Sequence, residues 1–303
     1  MSGGRVLVAG CGRMGAVRAE AARQLGASVT GLLDPAREPA EALSTCHPGS
    51  RVLDAAADID WDEFDAAFVC TPPGSRGLEL EAVRAGVPVL VEKPLSVSAD
   101  VARELVEAAR EGRARTAVGY MNRYRPGVRD LRARLSRSPP FAIACHWVSS
   151  GYNKPWWADP AESGGPLNDL STHLVDLCRF IAGEIDAVSA FERDPGRADV
   201  VAVALRFRSG ACATLLHSFL ARTKHIALEA FMPDGSERLE DWDFHPVGAS
   251  RAQDPDHVFV EETAAFLGGG PILSDIEDAW RTQLVIDAIK TSAASGMPAE
   301  VRA

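Results

Sequence analysis

Arg5-Val-Leu-Val-Ala-Gly10-Cys-Gly-Arg-Met-Gly15 is the stretch whose reading decides the fold. Arg5–Ala9 is a short, nearly continuous apolar run, the pattern of a strand buried on both faces of a parallel sheet. Gly10, Gly12 and Gly15 follow at once, with Cys11, Arg13 and Met14 between them, and Ala16–Leu25 has helical character. A G-x-G-x-x-G between a strand and a helix is a tight turn whose backbone amides approach a pyrophosphate, and the helix N-terminus favours that charge. A second strand, Ser28–Leu33, ends at Asp34. A carboxylate about twenty residues past the glycines accepts hydrogen bonds from the ribose hydroxyls of a dinucleotide. Asp34 would repel a 2′-phosphate, so NAD is the expected cofactor and NADP is disfavoured. Arg37 softens that preference.

Outward from this motif, Asp65–Cys70 reads as a further strand that breaks at Thr71-Pro72-Pro73. The carboxyl ends of central strands are where open α/β sheets bind ligands. Leu78–Ala85 is helical, and the strand Pro88–Val91 runs into Glu92-Lys93-Pro94. A lysine held at such an end, partly desolvated beside a carbonyl or alcohol, polarises oxygen or relays a proton; an ordinary loop lysine is the plainer alternative. Ser98 is read as the cap of a helix over Ala99–Glu111, and Thr116–Tyr120 as the last strand of a Rossmann-type doubly wound domain, residues 1–121.

Residues 122–303 read as a second, α+β domain. Phe141–Val148, Val188–Glu192, Val200–Arg208, Ala211–Phe219 and Ile226–Phe231 are its strands, and helices lie near Asp256–Leu267 and Ile276–Ala294. Ser163–Asp176 opens a helix running to about Ile181, with Asp169 and His173 four residues apart on one face. A carboxylate beside an imidazole orients it and favours its cation, which suits a general base. The same spacing also serves as half of a metal site or as a helix-stabilising pair. Trp156 and Trp157, in the loop Tyr152–Trp157, suit the wall of a sugar or cyclitol ring, or an oligomer contact. His217, His225, His245 and His257 share no spacing and read as structural or surface residues.

A net charge of −10 argues against a nucleic-acid partner, and the basic run Arg123–Arg137 reads as a solvated helix face. No apolar run approaches the ~20 residues that span a bilayer. The six cysteines are scattered without a C-x-x-C pair, so no metal site is expected and they read as reduced thiols of a cytoplasmic protein.

In order, G-C-G-R-M-G, Asp34, T-P-P, E-K-P-L, G-Y-M-N-R-Y-R-P, G-G-P-L-N-D-L-S-T-H-L-V-D and A-I-K-T-S-A-A-S-G resemble the glucose–fructose oxidoreductase/inositol dehydrogenase (Gfo/Idh/MocA) family. The resemblance implies an open, mostly antiparallel C-terminal sheet used for a homodimer or homotetramer. It implies that Lys93, Asp169 and His173 converge beside the nicotinamide, His173 moving the hydroxyl proton, Asp169 orienting it and Lys93 holding the substrate oxygen. It places Glu92 near the nicotinamide ribose, Thr71 and Pro72 along the cofactor cleft, and Tyr120, Met121, Asn122 and Arg123 near the nicotinamide and substrate. It also implies a cis Lys93–Pro94 bond. Two positions depart from the family pattern: Arg76 replaces a histidine and alters a contact near the cofactor, and Ser171 replaces a common glycine.

The activity expected is that of an NAD-dependent oxidoreductase acting on a secondary alcohol/ketone of a sugar, sugar-nucleotide or cyclitol. The alternatives are a reductase of an imine or other carbonyl derivative, and a glycosidase that retains NAD and oxidises its substrate transiently. A nucleotide-binding regulator is a further class, against which Lys93, Asp169 and His173 argue.

Overall fold

Apolar runs in the first third of the chain become the interior of a parallel sheet in the computed structural model, which describes residues 3–112, 114–151, 154–194, 196–249, 254 and 256–302. The strands are β1 (Arg5–Ala9), β2 (Ser28–Leu33), β3 (Arg51–Val52), β4 (Ala66–Val69), β5 (Val89–Val91) and β6 (Thr116–Val118). They lie in the order β3-β2-β1-β4-β5-β6, every pair parallel. Helices α1 (Arg13–Gln24), α2 (Arg37–Cys46), α3 (Leu78–Arg84) and α4 (Arg103–Glu111) connect them. Val8, Leu32, Phe68 and Leu90 are wholly buried in the core of this Rossmann unit. The strand order reverses between β1 and β4, which opens a crevice at their carboxyl ends. Ser98 does not cap α4. Arg103 N–H closes a turn on the Asp100 carbonyl (3.2 Å), and the helix begins only there.

A second compact unit holds an eight-stranded sheet. Its strands are β7 (Ala142–Ser150), β8 (Ile185–Glu192), β9 (Val200–Phe207), β10 (Cys212–Ser218), β11 (Leu220–Met232), β12 (Gly235–Glu240), β13 (His245–Pro246) and β14 (Ala299–Glu300). The order is β13-β12-β11-β7-β10-β9-β8-β14, antiparallel except for the β10–β7 pair. Strict alternation along β9 and β10 turns one face inward and the other to solvent. Helices α5 (Pro126–Leu135), α6 (Pro155–Ala158), α7 (Pro160–Ser163) and α8 (Thr172–Ala182) belong to this unit. Leu174, Leu177 and Cys178 bury the apolar stripe of α8. The outer sheet face exposes Phe191 and Leu216.

Two segments cross the linear division at 121/122, and the shorter, Val97–Ala99, lies with the second unit. Asp256–Ala279, with helix α9 (His257–Ala264), returns to the first unit. Glu262 of α9 pairs with Arg18 of α1, and Phe266 packs on Phe68 with ring centroids 5.7 Å apart. The long helix α10 (Ile276–Ser295) then runs on into the second unit. The basic run also departs from a single solvated face. Arg123 and Arg125 are buried, Arg125 over the Trp242 ring at 4.7 Å, while Arg129 and Arg137 are exposed. No helix among the described residues is long and apolar enough to cross a membrane, and all six cysteines are free thiols.

Candidate active site

The glycine turn of the first unit is shaped by close backbone approach. Gly10 has φ +88°, and a Cβ there would lie 2.7 Å from the Cys70 carbonyl carbon and the Thr71 nitrogen. A Cβ on Gly15 would collide with the Gly10 carbonyl oxygen, so helix and turn pack backbone to backbone. Gly12 and Arg13 are exposed at the start of α1, and Met14 is half-buried. Asp34 closes the turn from the other side: its carboxylate accepts from Cys11 N–H (2.7 Å) and Ala36 N–H (2.9 Å). Burial, reinforced by Asp34, pushes the Cys11 thiol up to about 12, so it stays neutral. A cleft of about 350 Å³ is lined by Gly10, Asp34, Asp54, Thr71, Arg76 and Glu81, and Pro72 is half-buried beside Thr71. This cradle fits a dinucleotide. Arg37 pairs with Glu41 (2.7 Å) and Asp54.

At the end of β5, Lys93 is half-buried and the Lys93–Pro94 bond is cis. Two neighbours expected at the cofactor have other partners. Glu92 is buried, and Arg18 contacts its Oε1 through Nε (2.7 Å) and Nη2 (2.6 Å). Arg18 also reaches Glu262 (2.5 Å), and although burial alone would lower its pKa, Glu92 and Glu262 raise it. Arg76 donates to the backbone carbonyls of Thr71, Glu92, Pro94 and Leu95 rather than into the cleft.

In the second unit, the helix expected to follow Pro166 and run to about Ile181 begins instead as a π-turn, Leu167–Ser171, followed by α8. The i→i+5 pattern widens that turn, a feature frequent at functional sites. Asp169 and His173 are both buried. Asp169 Oδ2 accepts from the Trp157 indole N–H (3.1 Å), and the His173 ring stacks on Trp147 with centroids 5.3 Å apart and planes 13° from parallel. Trp157 meets Phe219 edge-on at 5.0 Å, and Phe219 meets His217 at 4.2 Å. His217 is the register partner of Trp147. It is fully buried, neither ring nitrogen has a hydrogen-bond partner among the described residues, and burial pushes it down to about 3 against the opposing charge of Asp169. Of the two expectations for His217, a structural or a surface residue, its burial excludes the second. Its signal was the phase of the alternation, which puts it on the inward face with Ala213 and Leu215.

Other expected contacts fall as follows. Arg123 is held by a buried bidentate pair with Asp176 (2.9 and 2.5 Å) and lies over the Phe180 ring. Asn122 is buried and accepts from Arg125 (2.8 Å). Tyr120 is buried at the end of the first unit, and Met121 and Trp156 are half-buried. Tyr152 and Asn153 lie outside the described residues. Asp241, Asp243 and His245 present ligand atoms within 4.8 Å of one another, whereas the sequence leads to the expectation of no metal site.

A model of the oxidoreductase family with the NAD-binding Rossmann fold matches residues 4–120, and one of the GFO/IDH/MocA C-terminal domain matches residues 99–238. The chain belongs to the Gfo/Idh/MocA family. It is 26% identical over 311 residues to 1,5-anhydro-D-fructose reductase of Ensifer adhaerens, covering 93% of each chain. It is 29% identical to scyllo-inositol 2-dehydrogenase (NAD(+)) of Bacillus subtilis, over 57% of this chain and 54% of that one. The chain spans little more than half the length of several curated relatives of this family that it matches. Among solved structures, GenD2 of gentamicin A biosynthesis, in complex with NAD, superposes with a TM-score of 0.85 at 25% identity, covering 100% and 97% of the two chains.

Proposed function

We propose that this Gfo/Idh/MocA protein is an NAD-dependent oxidoreductase acting on a secondary alcohol/ketone of a sugar or cyclitol. The observation that carries the reading is the cofactor cradle: Asp34 held by Cys11 N–H beside the Gly10 turn, in a cleft also lined by Asp54 and Glu81. Three carboxylates there favour free ribose hydroxyls and disfavour a 2′-phosphate, and Arg37 is held by Glu41 and Asp54. The substrate class is supported by relatives named for inositol and anhydrofructose chemistry, and by the indoles Trp147 and Trp157 around Asp169 and His173.

When bound, the dinucleotide accepts or donates the hydride. For alcohol oxidation, a ring nitrogen of His173 takes the hydroxyl proton, and the Asp169 carboxylate stabilises the imidazolium that results. The Lys93 ammonium donates to the substrate oxygen and stabilises its alkoxide character. In reduction the same groups return the proton. The Trp147 stack fixes the plane of the His173 ring, so that its proton is presented in one direction.

A panel of cyclitols, sugars and keto-sugars with NAD and NADP, followed at the reduced-nicotinamide absorbance, tests this. Net reduction of NAD by a polyol, or net NADH oxidation by a keto-sugar, is the expected result. Product formation with no net change in nicotinamide would instead make the protein an NAD-retaining glycosidase.

The outer face of the eight-stranded sheet suits a second copy of this chain. Phe191 and Leu216 stand exposed among the small side chains Ala202, Ala204 and Thr214. Light scattering is expected to give a dimer or tetramer that Phe191→Asp weakens; a monomeric parent protein would rule out this interface.

A further inference from the structure

Arg76 stands where the family pattern has a histidine, and it lines the cofactor cleft. Those two facts invite a phosphate contact, but its hydrogen bonds point elsewhere. A guanidinium has five N–H donors in a planar fork. Nε donates to the Thr71 carbonyl (3.4 Å), and Nη1 to the carbonyls of Pro94 (2.5 Å) and Leu95 (2.6 Å). Nη2 donates to the carbonyls of Thr71 (3.2 Å) and Glu92 (2.5 Å). All five donors are engaged with backbone oxygen, so none remains for a phosphate. Glu92 and Pro94 are the residues on either side of Lys93.

We propose that Arg76 is the positioning residue for Lys93, clamping the carbonyls that flank it to the end of β4 so that the ammonium group is held in one orientation. The Glu92, Pro94 and Leu95 carbonyls point their negative ends at one place, and the Arg76 guanidinium sits there and holds them together. Histidine has at most two N–H donors, and lysine has three without the planar fork, so neither satisfies the same set. Burial lowers the pKa of Arg76, yet an arginine stays protonated through the working range, so the clamp does not release with pH. The inference rests on the proposed role of Lys93.

The test compares Arg76→Ala, Arg76→Lys and Lys93→Met by kcat and KM, by NAD binding in titration calorimetry, and by the rate of Lys93 amine labelling read by peptide mass spectrometry. Misplacing a reacting group by about 1 Å costs on the order of 10²-fold in rate. Arg76→Ala is therefore expected to lower kcat by ~10- to 100-fold, to leave NAD affinity within about threefold, and to change the labelling rate of Lys93. Added guanidinium ion should restore part of the lost kcat in Arg76→Ala and none in Lys93→Met. Arg76→Lys keeps the charge and serves where Arg76→Ala fails to fold; it should show the same split, more mildly. Loss of NAD binding in step with kcat would make Arg76 a cofactor contact and overturn the proposal, as would unchanged kcat. If Lys93→Met turns over normally, the catalytic role of Lys93 falls. Labelling alone then decides Arg76, and an unchanged rate in Arg76→Ala overturns the clamp.

Discussion

The imidazole of His173 lies nearly parallel to the indole of Trp147, with 5.3 Å between ring centroids. From Trp147 the contacts run across the β7–β10 ladder to His217, edge-on to Phe219, edge-on again to Trp157, and through its indole N–H to Asp169. Asp169 and His173 are four residues apart. The candidate acid–base pair thus sits in a ring of aromatic side chains on the inward face of the sheet, not on a bare helix surface.

Because that stack orients the imidazole, Trp147→Ala should lower kcat by about tenfold, the scale of a misdirected proton transfer, with NAD affinity unchanged. Trp147→Phe keeps a ring face and should recover much of the loss. Steady-state kinetics with calorimetric NAD binding reads both. Parent-like kcat in Trp147→Ala would show that the stack only fills space.

Asp34 is bound by two backbone N–H groups at the mouth of the cleft. NAD should therefore bind more tightly than NADP, and Asp34→Ser should move the ratio of their Kd values toward NADP by about tenfold or more, the loss of roughly 1.4 kcal/mol of discrimination. Tighter binding of NADP by the parent protein would reject the reading.

His217 is neutral when folded, pushed down to about 3 by burial, whereas an unfolded histidine titrates near 6.5. Between those values the unfolded chain holds a proton that the folded chain does not, so stability falls as pH drops through that window. From pH 7 to pH 4 the parent protein should lose on the order of 3 kcal/mol more than His217→Leu. Urea unfolding at the two pH values measures this. Parallel losses would mean that His217 is charged, or that its burial costs little.

Arg18 is wholly buried between Glu92 and Glu262. Arg18→Met leaves both carboxylates without their cation, which typically costs about 3–5 kcal/mol. A correspondingly earlier unfolding transition for the first unit is expected, with the melt followed by circular dichroism. A change below about 1 kcal/mol would show that the pair relaxes or takes up protons at little cost.

Much of the first unit could be read from local pattern, because strands buried on both faces are written as apolar runs and a glycine turn must follow the strand it serves. The start of α4 could not: Ser98 has the chemistry of a cap, but the helix waits for the Asp100–Arg103 turn. Nor could the π-turn, since Leu167–Ser171 carries no residue type that separates an i→i+5 turn from an ordinary helical one. The partners of Arg18 and Arg123 lie far along the chain, and charge alone does not say which arginine faces solvent and which is enclosed. His217 was visible in part. Its place in the β10 alternation is inward, but its neighbours Trp147 and Phe219 emerge only once β7 and β10 are in register.

The central claim is that His173 moves the substrate proton. His173→Ala should lower kcat by at least ~10²-fold while the Kd for NAD stays near that of the parent protein, measured by single-turnover nicotinamide absorbance and by calorimetry. Turnover at the parent rate in a folded, NAD-binding His173→Ala protein would contradict the account.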